Sequence, residues 1–250
     1  MTRRIGLIGL VALAAASALL AQDQQRVTSP DGRIEFRIFI DKPDAASLFR
    51  LAYQVSVQQK PLIRTSFLGL LIHNQEPALG ENVGLTSSKT VRSGQYNTLV
   101  AEYLQNGSLG RRINVEARAY NDGVAFRYVL PASTPLIPML LDDEETEFEL
   151  AANTEKISGI APGSRVSLPF VTEQPGIGWV AIDEIPSGSY PRMSLTRQEG
   201  TILVSRLPSR ADESGLAWEG TTPMTGPWRV ITIGATRQDA AESKIVNSLK

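Results

Sequence analysis

Two alternating segments joined by Asn121-Asp122-Gly123 constrain the fold of this chain more than any other feature of its sequence. From residue 112 to 120, and again from 124 to 130, apolar side chains recur at every second position. This period places them on one face of a β-strand. An Asp-Gly pair between two such segments favours a hairpin, because a primed turn requires positive φ. The sequence therefore predicts an antiparallel hairpin over residues 112–130.

The same alternation predicts further strands, and almost no helix accompanies them. The predicted strands cover residues 34–40, 51–57, 67–72, 147–150, 164–170, 179–184, 201–207 and 228–234. One short C-terminal helix is expected over residues 236–244, with Thr236 as its N-cap and Asp239 three residues later. Many short strands separated by Gly and Pro predict an all-β fold, a large two-sheet antiparallel β-sandwich. No linker divides residues 23–250, so we expect one domain.

The charged and sulfur-containing residues exclude several classes of function. Net charge is -1 and no basic stripe is visible, which argues against nucleic acid as a partner. The chain has no cysteine and one histidine, so disulfides, thiol nucleophiles and sites built from several histidines or cysteines are excluded. No residue stands in a context typical of a catalytic acid or base, and we predict no catalytic residue.

Residues 1–22 have the pattern of a signal peptide. Arg3 and Arg4 precede an uncharged apolar run, and small residues lead to Ala21 and the polar Gln22. A signal peptidase cuts after such residues. The run is short for a membrane span and has no basic residues on its far side. The mature protein is therefore expected in the periplasm or outside a bacterial cell, without stable insertion in the membrane.

Two isolated features are candidates for chemistry. His73 ends an apolar strand without a serine elbow, and is interpreted as a structural or solvent-exposed residue. Residues 142–145 form an acidic run that superficially suits calcium. Consecutive side chains of an extended segment point to alternate faces and do not converge on one ion, so we interpret this run as solvated.

Several short motifs, in order along nearly the whole mature chain, resemble the N-terminal domain of glycoside hydrolase family 97. The motifs are Ser29-Pro30-Asp31-Gly32, Leu68-Gly69-Leu70, Tyr96-Asn97, the run from Tyr120 to Tyr128, Thr222-Pro223, the run from Gly226 to Ile231, and Ile233-Gly234. This is a bacterial α-glucosidase and α-galactosidase family. The resemblance implies a galactose-mutarotase-like super-sandwich that packs against a catalytic (β/α)₈ barrel. We expect that barrel to be absent here, because the chain stops at Lys250.

The resemblance also implies one metal ligand. In the family, a glutamate of the N-terminal domain binds calcium, and Glu184 stands at the matching position, followed by Tyr190 and Met193. The histidine and alanine that flank this glutamate in the family are replaced by Asp183 and Ile185. One carboxylate supplies too few oxygens for calcium, so the other ligands would come from a partner barrel.

The sequence thus predicts a non-catalytic carbohydrate-binding or scaffold domain that supports hydrolysis of α-glycosides only together with a barrel. Its expected partners are an oligosaccharide or the barrel. Two alternatives stay open: a subunit that docks on a separately encoded barrel and donates the calcium ligand, and a periplasmic structural β-sandwich without a role in sugar binding. Docking predicts an exposed apolar patch beside Glu184 and Tyr190.

Overall fold

The computed structural model describes residues 24–107, 110–212 and 215–249, which form antiparallel sheets packed around one main core. The predicted signal peptide at 1–22 lies outside these residues. In the described part of the chain, no helix is both long enough and apolar enough to span a membrane.

Nineteen strands and three short helices are present in the described residues. The strands are β1 (Gln25–Thr28), β2 (Ile34–Asp41), β3 (Arg50–Val57), β4 (Lys60–Phe67), β5 (Leu70–Ile72), β6 (Val83–Arg92), β7 (Tyr96–Gln105), β8 (Arg112–Tyr120), β9 (Gly123–Leu130), β10 (Met139–Glu144), β11 (Glu147–Glu149), β12 (Arg165–Val166), β13 (Phe170–Gln174), β14 (Gly178–Ile185), β15 (Ser194–Arg197), β16 (Ile202–Arg206), β17 (Trp218–Gly220), β18 (Met224–Thr225) and β19 (Trp228–Gly234). The helices are α1 (Glu155–Ser158), α2 (Arg237–Ala241) and α3 (Lys244–Ser248).

One large sheet carries the fold, and smaller sheets cover its inner face. The large sheet has the order β13-β14-β19-β9-β8-β7-β6, and β18 also pairs with β9. The smaller sheets have the orders β1-β2-β3-β4, β17-β10-β5 and β11-β16-β15-β12. Alternate side chains of both layers meet in the core, where the rings of Phe36, Tyr53 and Phe126 pack against one another at centroid distances of 4.8–5.6 Å. The predicted all-β sandwich is confirmed.

The central hairpin is confirmed, but its glycine acts for a different reason than expected. Tyr120 pairs with Gly123, so Asn121 and Asp122 form the two-residue turn. Neither of these two residues has positive φ. Gly123 is required because a Cβ atom there would lie 2.2 Å from the carbonyl oxygen of Ile231 on neighbouring strand β19. Close backbone approach, rather than turn geometry, selects glycine at this position.

Two predicted strands are divided in the structure. The apolar run at 67–72 is split between β4 and β5, with Gly69 packed so closely on Arg50 that a Cβ would lie 2.6 Å from its Nη2 atom. The segment 164–170 is split between β12 and β13, and Pro169, which has no N–H to donate to a sheet ladder, stands between them. The alternation pattern did not predict β6 or β7.

The expected C-terminal helix is present as two five-residue helices, α2 and α3. Thr236 caps α2 as predicted: its hydroxyl accepts a hydrogen bond from the Asp239 backbone N–H, and the Asp239 side chain accepts one from the Thr236 N–H. Helix α2 packs on the outer face of the large sheet over β13, β14 and β19.

The hairpin between β3 and β4 supplies the first testable prediction. Its two turn residues, Gln58 and Gln59, have φ angles of 50° and 68°, a region that costs an L-residue about 1–2 kcal/mol. The double substitution Gln58→Asn, Gln59→Gly introduces the pair that such turns favour. It is expected to raise the free energy of unfolding by about 1 kcal/mol and Tm by about 2–4 °C. Urea denaturation and scanning calorimetry measure these changes.

The control is Gln95→Gly, at an exposed turn residue whose φ is not positive. Here glycine relieves no strain and adds freedom to the unfolded chain, so no stabilisation is expected. Equal effects of the two changes would contradict the explanation from turn geometry.

Candidate functional site

Three charged side chains meet inside the sandwich where three strands end together. Arg229 is the second residue of β19, Glu144 the last of β10 and Glu184 the last but one of β14. Register places Glu184 directly opposite Arg229 on the neighbouring strand. Arg229 and Glu144 are completely buried, and Glu184 is 2% exposed. Charged residues are almost never buried to this degree unless they are paired.

The guanidinium of Arg229 binds both carboxylates. Its Nε donates to Glu144 Oε1 at 2.8 Å and its Nη2 donates to Glu144 Oε2, which is a bidentate pair. The third nitrogen, Nη1, donates to Glu184 Oε2. Burial lowers the pKa of Arg229, but the two carboxylates outweigh that effect and hold its pKa above the ordinary value. Arg229 therefore remains charged in the core.

A shell of hydroxyls completes the hydrogen bonds of Glu144. Tyr190 donates to its Oε2 at 2.8 Å, and Thr146 donates to its Oε1 at 2.6 Å. Tyr128 lies 2.8 Å from the Thr146 hydroxyl. Burial, followed by the charge of Glu144, raises the pKa of both tyrosines above the ordinary value, so they stay protonated and continue to donate.

Only one of the two carboxylate oxygens of Glu184 accepts hydrogen bonds. Its Oε2 accepts from Arg229 and also from the Met193 backbone N–H at 3.0 Å. Its Oε1 is buried without a hydrogen bond in the described part of the chain. Arg192 forms an ion pair with Oε1: its Nε is 3.5 Å away, and its side chain is 64% exposed. The buried trio of Arg229, Glu144 and Glu184 carries one excess negative charge, and its free oxygen faces this exposed cation.

The buried trio contradicts the prediction for the acidic run at 142–145. It also contains one residue, Arg229, that the sequence analysis did not identify. The sequence predicts a solvated acidic run at 142–145, and this prediction is wrong: three of its members are half-buried and Glu144 is completely buried. Glu144 is buried because Arg229 neutralises it. The signal for Arg229 was present: an arginine between Trp228 and Val230, in the middle of an apolar strand, must have a buried partner.

The other residues considered in the sequence lie apart from this trio. His73 hydrogen-bonds through Nδ1 to Asp142 Oδ1 at 2.8 Å, and both side chains are 34% exposed. Asp183 accepts a hydrogen bond from the Glu184 N–H at 2.8 Å, and burial raises its pKa. Tyr190 does not contribute to the exposed apolar patch beside Glu184 that the sequence predicts. It is only 6% exposed, and its ring packs on the half-buried Trp218 with a distance of 5.4 Å between the ring centroids.

A divalent cation would find one ligand here. No group of three His, Asp or Glu side chains among the described residues is arranged to hold a metal ion. Calcium takes six to eight oxygens. Glu184 Oε1, buried without a hydrogen bond, fits one such position, and the described residues supply no other ligand group around it.

The fold and this cluster define a large all-β sandwich domain with a buried, net negative charge trio at one end. The sequence pattern of the family described as "Glycosyl-hydrolase 97 N-terminal" matches residues 27–158 and 153–250. The chain belongs to this family of N-terminal domains.

Known proteins resemble the chain over this domain. A retaining α-galactosidase of Bacteroides thetaiotaomicron is 25% identical over 91% of this chain and 41% of its own length. A family 97 enzyme from Pseudoalteromonas sp. strain K8, solved with acarbose, is 21% identical with a TM-score of 0.73, over 90% of this chain and 38% of that one. A β-arabinopyranosidase is 20% identical with a TM-score of 0.65, over 85% and 40%. The chain thus spans about two fifths of these relatives.

Proposed function

We propose that this chain is a non-catalytic carbohydrate-binding and scaffold domain that supports hydrolysis of α-glycosides only together with a (β/α)₈ catalytic barrel. Support comes from the family and from the α-galactosidase and acarbose-bound relatives, whose remaining three fifths lie beyond the matched region. The predicted signal peptide at 1–22 supports action in the periplasm or outside the cell.

The observation that carries the proposal is Glu184 Oε1, which has no hydrogen bond among the described residues and lies 3.5 Å from one exposed arginine, Arg192. A buried carboxylate oxygen without a hydrogen bond is costly to a protein, and such groups in native structures call for an explanation. A calcium ion completed by ligands from the barrel would provide a partner for Oε1 and balance the excess charge of the trio. Arg192 would move away when the barrel docks, and its high exposure leaves room for that movement.

Arg229 has a positioning role in this proposal. It holds Oε2 of Glu184, together with the Met193 N–H, and so leaves Oε1 as the oxygen without a hydrogen bond. Fixed ligands bind a cation with less loss of side-chain freedom. Calcium, when bound, would supply positive charge at the domain boundary, and every other part of the reaction would belong to the barrel.

A chimera tests the proposal. Residues 23–250 would replace the matching N-terminal part of the B. thetaiotaomicron α-galactosidase. We expect calcium to raise both the Tm of the chimera and its turnover of a p-nitrophenyl α-galactoside. Glu184→Gln keeps the acceptor for Arg229 but removes the charge, and is expected to lose at least tenfold of the calcium-stimulated rate and the calcium-dependent Tm shift.

The control for the chimera is Asp142→Asn, a half-buried carboxylate outside the trio, which is expected to leave the calcium response intact. The chain without a barrel is expected to hydrolyse neither p-nitrophenyl α-glucoside nor α-galactoside. Turnover by the chain alone that disappears when one of its own carboxylates is changed would overturn the proposal.

A further inference from the structure

A cavity of about 530 Å³ lies on the outer face of the large sheet. The β13–β14 hairpin, the start of α1 and Arg237 of α2 line it. Small-molecule sites typically measure about 300–1,000 Å³. Extending the function proposed above, on which this inference rests, we propose that the cavity binds one hexopyranose unit of a neutral oligosaccharide, with Trp179 as the stacking platform.

Trp179 has the two properties that a pyranose requires of its partner. Its ring is half-buried and packs against Val171, Ala181 and Ala240, so it presents a supported apolar surface to the cavity. Its indole N–H has no acceptor among the described residues. A pyranose offers an apolar C–H face and a rim of hydroxyls, which match an aromatic face and a free donor at its edge.

The walls of the cavity are held in place before any ligand binds. Thr154, at the start of α1, hydrogen-bonds through its hydroxyl to that of Thr172 on β13 at 2.8 Å. The Ala152 N–H donates to the Gln174 side chain at 3.1 Å, which ties the same segment to β13. Ile157 anchors α1 in the main core. A preformed cavity loses little conformational freedom on binding.

The charges around Trp179 favour an uncharged ligand with hydroxyl groups. Two acidic and two basic side chains line the cavity: Glu155, Glu173, Lys156 and Arg237. In the part of the chain that the structure describes, none of the four forms an ion pair or a side-chain hydrogen bond. Their charges sum to zero, so the site has no net preference for anions or cations, and it offers unused donors and acceptors for hydroxyls.

A larger groove elsewhere lacks these properties. It measures about 740 Å³ and runs over the outer face of β1 to β4. No aromatic ring lines it, and its arginines are already paired with carboxylates at 2.5–3.7 Å: Arg26 and Arg37 with Glu35, Arg33 with Asp31, and Arg64 with Glu149. Its arginines are engaged within the protein, whereas the four charged side chains around Trp179 have no such partner among the described residues.

The cavity is separate from the proposed calcium ligand. Trp179 and Glu184 lie five residues apart on β14, which is about 17 Å along an extended strand. Odd-numbered residues of β14 face outward and even-numbered residues face the core, so the two side chains point to opposite faces of the sheet. A sugar bound at Trp179 would therefore leave the end of the domain around Glu184 accessible to a barrel.

Isothermal titration calorimetry of the purified chain tests the inference, with maltotriose, raffinose and, as a polyol without a ring, mannitol. We expect saturable binding of maltotriose or raffinose and none of mannitol. Trp179→Ala is expected to weaken binding at least tenfold. Glu173→Ala, at an exposed position on the edge strand, is expected to weaken it several-fold with no change in Tm. Trp218→Phe, at the other half-buried tryptophan, is the matched control and is expected to keep the affinity.

Two results would overturn the inference: no saturable binding of either sugar up to about 20 mM, or binding that survives both the Trp179 and the Glu173 changes. If Trp179→Ala lowers Tm strongly, the sugar affinity of Glu173→Ala alone decides whether the inference holds. The function proposed above is judged separately, by the calcium response of the chimera. A Trp179→Ala chimera is expected to keep that response.

Discussion

Replacing Arg229 with methionine is expected to lower the free energy of unfolding by about 3–5 kcal/mol, which is the cost of removing one partner from a buried ion pair. Arg229 is completely buried and is the only side chain within the trio that carries positive charge. Without it, Glu144 and Glu184 would face each other in the core without a counter-charge. Urea denaturation followed by far-UV circular dichroism measures the change.

Two further variants separate charge from packing. The triple variant Arg229→Met, Glu144→Gln, Glu184→Gln removes all three charges, and is expected to recover most of the lost stability because no unpaired charge stays buried. Arg210→Met is the matched surface control. Arg210 also contacts two carboxylates, Asp212 at 2.5 Å and Glu219 at 3.0 Å, but these lie in solvent, and the change is expected to be far smaller.

A small effect of Arg229→Met would contradict this account of the trio. If that variant stayed within about 1 kcal/mol of the unchanged chain, the two glutamates would have to be neutral or hydrated in the fold. A triple variant no more stable than the single one would show that the arginine acts through its volume and not through its charge.

Alkaline pH is expected to destabilise the chain steeply. Burial is the largest cause that raises the pKa of Tyr53, Tyr128 and Tyr190 above the ordinary value, and the next causes are negative or tyrosine neighbours. Their hydroxyls donate or share hydrogen bonds with the Glu147 carbonyl, Thr146 and Glu144 respectively, which requires the protonated form.

Stability falls with rising pH because the folded chain holds the protons of these tyrosines more tightly than the unfolded chain does. In the unfolded chain these tyrosines lose their protons near pH 10, while in the folded chain they retain them to higher pH. The stability they contribute is therefore fully present below about pH 10 and falls as the pH rises toward the folded-state values. Each group contributes about 1.4 kcal/mol per pH unit, so the three together give about 4 kcal/mol per pH unit.

Urea midpoints measured between about pH 8.5 and 11.5 test this slope. Tyr53→Phe is expected to remove about one third of it. Tyr96→Phe, at a half-exposed tyrosine on β7, is the control and is expected to keep the slope. Stability that stays flat to pH 11.5 would mean that the three rings open to water before they titrate.

The sequence predicted those elements in which one face is apolar and the other polar. Strands β2, β3, β8 and β9 follow that pattern, because a half-buried strand must alternate. Strand β7 alternates in the structure too, but Asn97 and Gln105 occupy two of its buried positions and hide the period. Strand β6 is an edge strand, exposed over most of its length, so no apolar face marked it.

The candidate site was predictable only in part, because its members are far apart along the chain. Glu184 was found through its family resemblance. Glu144 and Arg229 are 85 residues apart, and nothing local to either one shows that they meet. Composition near Glu144 suggested solvent, because the partner that makes its burial tolerable lies on another strand.

Strand β14 also limits how this domain is able to change over evolutionary time. It pairs with β19 at seven consecutive positions, from Trp179 to Ile185. Deletion of a single codon within it would shift the parity of every following side chain, turning Glu184 out of the core and bringing a neighbour in. Insertion and deletion within this strand are therefore excluded, so its length should be invariant among descendants that keep Trp179 on the outer face and Glu184 in the core.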